Sequence, residues 1–357
     1  MIADFKLKDF KYSAEYVAPL STFLSLYIGG FMSYFSPVFL FGFIPLLELI
    51  IPERPENPSP QEEEEKKHKR IYDYLLYLNV PIQYFLLVYF LIRITGGVTP
   101  FEFVGMTLSM GMSCGIIGIN VAHELGHRIK PFEQYLAKAL LVTSLYMHFF
   151  IEHNRGHHKR VATPEDPATA RYGESVYAFW VRSVIHSYLS AWELANKRMR
   201  KKNLPVISLH NEMIRFHLIQ IAFIVAVGLL FGWLGIIAFV GAAIVGFLLL
   251  ETVNYIEHYG LLRNKKPNGK YEKVHPCHSW NSDHTVGRIT LFELTRHSDH
   301  HYQASRKYQV LRHFDDSPQL PTGYPGMMLL SLFPPLWFKV MHKKISTQTE
   351  GTYLTAA

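Results

Sequence analysis

Long apolar blocks separated by polar stretches dominate the pattern of this 357-residue chain. A helix needs about 20 apolar residues to cross a bilayer, and fewer where the bilayer thins locally. Such blocks span residues 16–35, 38–51, 76–95, 101–122, 134–151, 216–232 and 234–256. Turn signals at Ser36-Pro37, at residues 96–100 and at Gly232-Trp233 separate consecutive blocks. The pattern therefore predicts an all-α integral membrane protein with helices paired by tight turns.

Clustered histidines decide how many of these blocks cross the bilayer. Nine of the chain's 19 histidines fall in four short groups, at 123–127, 153–158, 258 and 297–301. If the groups form one site, block 134–151 cannot cross, because a crossing there would carry His153 away from His123. We therefore predict that this block is re-entrant, interfacial or buried in protein, and that six transmembrane helices cross as three hairpins. The alternative is a seventh span with the histidines divided between the two sides.

Basic residues lie mainly on the side of the histidines. The stretch 154–213 holds ten Lys and Arg and the stretch 259–357 holds thirteen, whereas the opposite turns hold almost none. The positive-inside rule then predicts that the histidines and both termini are cytoplasmic. A net charge of +7 fits an acidic partner or an anionic membrane surface. Only two cysteines occur, so we expect neither a disulfide framework nor a CxxC metal site.

The domain organisation follows from this arrangement. Residues 1–256 are predicted to form a transmembrane helical region with inserted cytoplasmic loops at 53–75 and 154–213. Residues 257–344 form a cytoplasmic, histidine-rich helical cap that completes the metal site. Residues 345–357 are predicted to be a disordered tail.

His123 and His127 belong to an H-E-x-x-H motif with Glu124. On a helix, two histidines four residues apart share one face and can bind one metal ion. The usual interpretation is a zinc protease with the glutamate as its base. Because this motif occurs often by chance, the other histidine groups decide its meaning.

Three further groups supply the same ligand type. They are HNRGHH, the lone histidine of NYIEHYG, and HSDHH. In helices, His153 shares a face with His157, and His297 with His301. Nine imidazoles are too many for one ion and suit two ions with four or five ligands each, and nitrogen ligands favour iron, copper, nickel or zinc. The predicted metal ligands are His123, His127, His153, His157, His158, His258, His297, His300 and His301.

Carboxylates near these groups can accept a hydrogen bond from the free N–H of a coordinating imidazole. We expect this role for Glu124, in place of that of a protease base, and for Asp166, Glu257, Asp283 and Asp299. A carboxylate that bridges two metal ions stays an open alternative. The remaining histidines lack a paired spacing in a common motif, and we expect structural roles for them.

The motifs HELGH, NRGHHKRVATPEDPATAR, NYIEHYGL, HSWNSD and RHSDHH occur in this order, followed by RKYQVLRHFDDSPQLPTGYPGMM. Together they resemble the integral-membrane alkane 1-monooxygenases from about residue 100 to residue 330. The NRGHH…ATPEDPA and NYxEHYG elements are specific to that family, whereas membrane fatty-acid desaturases and xylene-type monooxygenases share the three histidine boxes. One departure occurs at Leu294-Thr295, where the family usually has Leu-Gln. This departure removes no metal ligand. We therefore expect it to alter hydrogen bonding beside the metal and not the class of enzyme.

The resemblance implies a non-haem diiron site with two Fe ions, dioxygen as oxidant, and hydroxylation of the terminal methyl of alkanes to primary alcohols. It also implies electrons from rubredoxin, supplied in turn by an NAD(P)H-dependent rubredoxin reductase, and a bacterial inner membrane location. The alkane would enter from the lipid bilayer, and no nucleic-acid partner is expected. Rubredoxin is small and acidic, which agrees with the basic cytoplasmic face.

Selectivity for the chain end requires steric control, because a terminal C–H bond is stronger than an internal one. A narrow channel open to lipid would present the end of the alkane first. We predict that Met112, Ile116 and Ile119, on the His123 face of block 101–122, line this channel. Ordinary helix packing through the neighbouring glycines is the alternative.

Other classes stay open on the sequence alone. A membrane desaturase or xylene-type hydroxylase would also use two irons and would differ in its product. An intramembrane zinc protease would need a single zinc and would leave the later histidine groups without a use. A metal transporter would hold its ligands near the bilayer midplane, whereas these histidines lie at helix ends.

Overall fold

The structure is a computed structural model that describes residues 7–348. Within this range the regular structure is helical, and isolated β-bridges occur in place of strands. The α-helices are Val17–Ile28, Phe35–Val38, Ile44–Ile50, Pro60–His68, Ile71–Tyr77, Asn79–Thr95, Pro100–Ser113, Ala122–Gly126, Pro131–Val142, Phe149–Glu152, His158–Arg160, Val176–Lys201, Glu212–His258, Thr285–Thr290, His297–Tyr302, Tyr324–Ser331 and Pro334–Gln348. The 3₁₀-helices are Leu7–Tyr16, Gly30–Tyr34, Pro276–His278 and Tyr308–Val310, and the π-helices are Phe39–Phe43, Cys114–Val121 and His153–His157.

Within residues 7–348, four helical stretches are long and apolar enough to cross a membrane. They are Gly30–Ile50, Ile71–Thr95, Pro100–Gly126 and Glu212–His258. The last of these is broken at Gly232, whose φ of 66° lies in the left-handed region that favours glycine. Its two halves pack side by side, since the ring centroids of Phe223 and Phe239 lie 5.4 Å apart. The turn predicted at Gly232-Trp233 is therefore confirmed.

The turn predicted at Ser36-Pro37 is wrong. The chain turns instead at Gly29 and Gly30, with φ values of 71° and 55°. Pro37 lies in the first turn of helix Phe35–Val38. A proline is tolerated there because the first backbone N–H groups of a helix have no partner within it.

The stretch that covers block 134–151 is not one helix. Helix Pro131–Val142 ends before Leu145, which has a φ of 50°, and the short helix Phe149–Glu152 follows. This stretch is absent from the four candidate spans found in the described residues. That block 134–151 does not cross the bilayer stays a prediction.

The chain divides into two compact units, each built from three segments. The first unit comprises the chain up to Gly42, Arg70–Arg155 and Tyr188–Leu250, and the second comprises Phe43–Lys69, Gly156–Ser187 and the chain from Glu251 onward. The second unit thus holds two earlier segments besides the chain from Glu251 onward. The predicted boundary between residues 256 and 257 stays a prediction.

Close helix contacts build the core of the first unit. Its buried apolar cluster includes Leu86, Phe90, Met110, Cys114 and Phe239. A Cβ on Gly111 would lie 2.4 Å from the Cβ of Val245, and a Cβ on Gly246 would lie 2.5 Å from that of Cys114. Small residues therefore allow the backbones of these two membrane helices to approach each other.

Helices occupy parts of both predicted loops. In 53–75, helix Pro60–His68 is capped at its N-terminus by Ser59, which forms a capping box with Glu62. In 154–213, helix Val176–Lys201 covers 26 residues. The predicted tail begins within helix Pro334–Gln348, and the rest of 345–357 lies outside the described residues.

Candidate metal centre

Four imidazoles meet inside the second unit, and they come from three separate parts of the chain. They belong to His157, His258, His297 and His301. All four side chains are buried. One ligand atom from each lies within 4.8 Å of the others. The Nε2 atoms of His157 and His301 are 3.1 Å apart, and those of His258 and His297 are 3.2 Å apart.

These distances fit a bound metal ion. Imidazole nitrogens bind zinc-like metals at about 2.0–2.1 Å, so two ligands of one ion lie roughly 3.0–3.4 Å apart. Both Nε2 pairs fall in that range. A hydrogen bond can join two imidazoles, but it does not explain why four converge within 4.8 Å. The donor set therefore suits an ion that accepts nitrogen ligands, such as iron, copper, nickel or zinc.

Asp166 orients one of these imidazoles. Its Oδ2 lies 2.9 Å from Nδ1 of His157 and accepts a hydrogen bond from the hydroxyl of Thr169 at 2.6 Å. Burial opposes ionisation of Asp166, but His157 and the Thr169 hydroxyl hold the pKa of this carboxyl below its ordinary value. An ionised Asp166 keeps a proton on Nδ1 of His157 and leaves Nε2 with its lone pair toward the other imidazoles.

Glu257 lies beside the same four imidazoles. Its Oε2 is 3.1 Å from Nε2 of His297, and its Oε1 accepts a hydrogen bond from the hydroxyl of Tyr324 at 2.7 Å. Both side chains are buried. The carboxylate thus sits close enough to the ring nitrogen to share a proton with it or to contact the same ion. Tyr324 is not among the predicted site residues, and it comes from a segment 67 residues further along the chain.

A second pair of imidazoles in the same unit comes from His158 and His300. Their Nε2 atoms are 3.2 Å apart. Burial lowers the pKa of His300 to about 3 and that of His301 well below its ordinary value. Because the neutral form is favoured at physiological pH, these rings keep the lone pair that metal binding requires.

Three imidazoles meet in the first unit. The Nε2 atoms of His127 and His153 are 3.0 Å apart. The ring of His123 lies 4.9 Å from that of His127 and 4.3 Å from that of His153, measured between centroids. Both histidines of the H-E-x-x-H motif therefore lie beside His153, a member of the second histidine group. The predicted convergence of the groups requires such a contact.

Local π-helical geometry alters the expected register of two groups. The π-helix Cys114–Val121 ends just before the H-E-x-x-H motif, and a second one covers His153–His157. In a π-helix the backbone hydrogen bond spans five residues in place of four. The α-helical spacing assumed for these groups therefore does not hold there, and His153 and His157 belong to different sets of imidazoles.

Glu124 is engaged by an arginine. Its Oε1 lies 2.7 Å from Nη2 of Arg128, and Nη1 of Arg128 donates to Oδ1 of Asp73 at 3.2 Å. All three side chains are buried. The arginine thus ties the H-E-x-x-H helix to helix Ile71–Tyr77. Arg128 lies outside the predicted site residues, although a cation four residues after Glu124 is a recognisable pairing.

Asp283 and Asp299 are also engaged by arginines. Nε of Arg296 donates to Oδ1 of Asp283 at 3.1 Å, and Nδ1 of His313 lies 2.6 Å from Oδ2 of Asp283. Nε of Arg306 lies 3.2 Å from Oδ2 of Asp299. These ion pairs fix the chain on both sides of the HSDHH group. The two arginines flank that motif in the sequence, which is the signal by which they could have been found.

The predicted channel residues lie at the π-helix. Met112 and Ile119 are buried and Ile116 is half-buried. Their expected place on the His123 face assumes α-helical spacing, whereas Ile116 and Ile119 lie within the π-helix Cys114–Val121 and Met112 lies just before it. The channel itself stays a prediction.

Several histidines outside the four groups have local partners of a structural kind. Nε2 of His217 lies 2.9 Å from the hydroxyl of Tyr188, and Nε2 of His278 lies 3.3 Å from a carboxylate oxygen of Glu272. These contacts agree with the structural roles expected for them.

Comparison with known proteins adds an independent observation. A family model described as fatty acid desaturase matches residues 99–342. The chain is 44% identical over 320 residues to alkane 1-monooxygenase 2 of Pseudomonas aeruginosa, covering 87% of this chain and 84% of that protein. It is 37% identical over 355 residues to alkane 1-monooxygenase 2 of Alcanivorax borkumensis, covering 97% and 93%. It is 26% identical over 266 residues to the xylene/toluene monooxygenase hydroxylase component of Pseudomonas putida, covering 72% and 68%.

Proposed function

We propose, on the premise that this chain belongs to the alkane 1-monooxygenase family, that it hydroxylates the terminal methyl group of alkanes with dioxygen to give primary alcohols. The protein is a membrane oxidoreductase. The observation that carries the proposal is the buried set of His157, His258, His297 and His301, whose ring nitrogens are spaced as ligands of one ion. A protein with this ligand set and these relatives needs a metal that reacts with dioxygen.

Two iron ions are the proposed cofactors. The buried set of four imidazoles in the second unit would hold one ion. For the other we propose the three imidazoles of the first unit, those of His123, His127 and His153. Three protein ligands leave an iron ion with open positions for dioxygen. The pair from His158 and His300 stays a predicted part of the ligand set. When bound, the irons would activate dioxygen for insertion of one oxygen atom into a C–H bond.

The side chains around the imidazoles prepare the site for this chemistry. Asp166 holds the Nδ1 proton of His157, so that the opposite nitrogen keeps its lone pair. The Tyr324 hydroxyl donates a hydrogen bond to Glu257 and so gives this buried carboxylate a partner. Because all of these groups are buried, the site excludes bulk water and limits loss of reactive oxygen species to solvent.

Six crossings in three hairpins are the proposed membrane arrangement, with the termini and the imidazoles on the cytoplasmic side. The positive φ values at Gly29 and Gly30 support a first turn, and the break at Gly232 supports the last one. The excess of Lys and Arg in 154–213 and 259–357 supports the orientation. Labelling of single cysteines at Trp233 and at Lys270 from opposite sides of inner-membrane vesicles tests it, since the two positions should react from different sides.

Electrons are proposed to come from rubredoxin, reduced by an NAD(P)H-dependent rubredoxin reductase. The net charge of +7 supports docking of a small acidic protein on the cytoplasmic face.

The alkane is proposed to enter from the bilayer through a channel lined by Met112, Ile116 and Ile119. The apolar character of these side chains and their place just before the H-E-x-x-H helix support the assignment.

A reconstituted reaction tests the function directly. Purified protein is incubated with rubredoxin, its reductase, NADH and octane, and the products are identified by gas chromatography. We expect 1-octanol, and we expect none from His301→Ala. The match to the fatty acid desaturase model makes desaturation the second candidate, because both reactions begin at a C–H bond. An alkene product without 1-octanol would favour it, and one zinc per chain without iron would exclude both.

A further inference from the structure

A buried polar cluster surrounds the π-helix Cys114–Val121 in the first unit. Its members come from three separate stretches of the chain and are at most 1% exposed. They are Gln83, Ser113, Thr143 and Ser144. Polar side chains at membrane depth are costly, so a compact group of four needs a reason.

Both the oxygen and the nitrogen of the Gln83 side-chain amide form hydrogen bonds. The hydroxyl of Ser113 donates to Oε1 of Gln83 at 2.6 Å, and Nε2 of Gln83 donates to the hydroxyl of Thr143 at 3.0 Å. The hydroxyl of Ser144 in turn donates to the backbone carbonyl of Cys114 at 3.0 Å. Gln83 therefore joins the start of the π-helix to the stretch that follows helix Pro131–Val142.

One of these bonds satisfies the backbone where the α-helix changes to a π-helix. A carbonyl that loses its helical partner at such a change must find another within the protein, because the bilayer has no water to replace it. The hydroxyl of Ser144 supplies this hydrogen bond to the Cys114 carbonyl. Gly118 lets the cluster approach, because a Cβ there would lie 2.8 Å from the Ser144 hydroxyl and 2.9 Å from that of Thr143.

The π-helix ends at Val121, two residues before His123. Each residue of an α-helix turns the chain by about 100°, so loss of the extra residue in a π turn would rotate everything after it by roughly that angle. We infer that Gln83 is a positioning residue for His123 and His127, acting through the π-helix that it stabilises. This inference rests on the proposed metal site.

Metal titration of the full-length protein tests it. Chelator-treated protein in detergent is titrated with Co²⁺, whose visible absorption reports the ligand geometry, and thermal unfolding is followed in parallel. The variants are Gln83→Leu and the milder Ser144→Ala. The matched control is Ser109→Ala, which removes a buried hydroxyl of helix Pro100–Ser113 that donates to the Ser33 carbonyl at 2.7 Å.

We expect the wild-type protein and Ser109→Ala to bind two Co²⁺ with the same spectrum. Gln83→Leu should bind the second Co²⁺ at least about tenfold more weakly, with a changed visible band, and Ser144→Ala should shift in the same direction by less. The inference is overturned if both variants keep the wild-type affinity and spectrum, or if Ser109→Ala loses the second ion to the same degree. A wild-type protein that binds a single ion would overturn the proposed two-metal site together with the inference.

Discussion

Nδ1 of His157 lies 2.9 Å from Oδ2 of Asp166, and both side chains are almost fully buried. This contact decides which ring nitrogen of His157 carries the proton. Because Nδ1 is bound to the carboxylate, Nε2 is left facing Nε2 of His301 at 3.1 Å. A local hydrogen bond therefore prepares a ligand whose partner lies 144 residues further along the chain.

Replacing Asp166 should weaken metal binding without removing a ligand. In Asp166→Asn the neutral amide accepts a weaker hydrogen bond from His157, and the imidazole is a poorer ligand as a result. We expect iron affinity to fall about 10- to 100-fold, measured as iron retained per chain against a competing chelator. The control is Asp316→Asn, which changes an exposed aspartate. Equal iron retention in the two variants would contradict the role of Asp166.

His258 is the lone histidine of its motif, so its role as a ligand needs its own test. We expect His258→Ala to hold about one iron per chain in place of two, because a three-imidazole set binds an ion less tightly than a four-imidazole set. Octane hydroxylation should be lost. Iron analysis and product analysis on the same preparation measure both effects. His186→Ala, at an exposed position, should keep both irons. Two irons and full activity in His258→Ala would remove His258 from the ligand set.

The role of Glu124 distinguishes the proposed site from that of a zinc protease. A protease base would be essential, whereas the structure pairs Glu124 with Arg128 at 2.7 Å. We expect Glu124→Gln to keep octane hydroxylation within about tenfold of wild type, because an amide oxygen still accepts a hydrogen bond from Arg128. Initial rates of 1-octanol formation measure this. The companion variant Glu124→Ala should lose more activity, since it leaves the arginine without its acceptor. A complete loss in Glu124→Gln would show that the carboxylate itself is needed in the reaction.

Ile116 tests the proposed channel. We expect Ile116→Trp to shift the preferred alkanes toward shorter chains, because the larger side chain shortens the space available beyond the reacting methyl. The product yields from a mixture of alkanes of different length measure the shift. Val104→Trp is the matched control, since Val104 lies on the same membrane helix and is 48% exposed. An unchanged profile in Ile116→Trp would show that the channel runs elsewhere.

Much of the candidate site could be predicted from the sequence because its ligands recur in short, regular motifs. Two imidazoles four residues apart, repeated in several segments, have few explanations other than metal. Asp166 and Glu257 could also be predicted, since each lies within a few residues of a histidine motif. Arg128 and Arg296 stand beside histidine motifs, but their ion pairs with Asp73 and Asp283 could not be predicted, because contacts between separate segments leave no regular spacing.

Register was the weaker part of the prediction. Helical spacing assumed 3.6 residues per turn throughout, but π-helices occur at Cys114–Val121 and at His153–His157. Nothing in the local sequence requires the wider turn. It depends on hydrogen bonds such as that from Ser144 to the Cys114 carbonyl, which form only when a distant stretch packs against the helix.

The sequence by itself determined that this is a helical membrane protein with clustered imidazoles, because apolar length and ligand type are properties of the chain read residue by residue. Only the tertiary structure decided that the chain turns at Gly29 and not at Ser36-Pro37, and that His157 faces His301. The reason is physical: composition fixes what a segment can bury or bind, whereas turns, register and ligand partners depend on contacts between segments far apart in the chain.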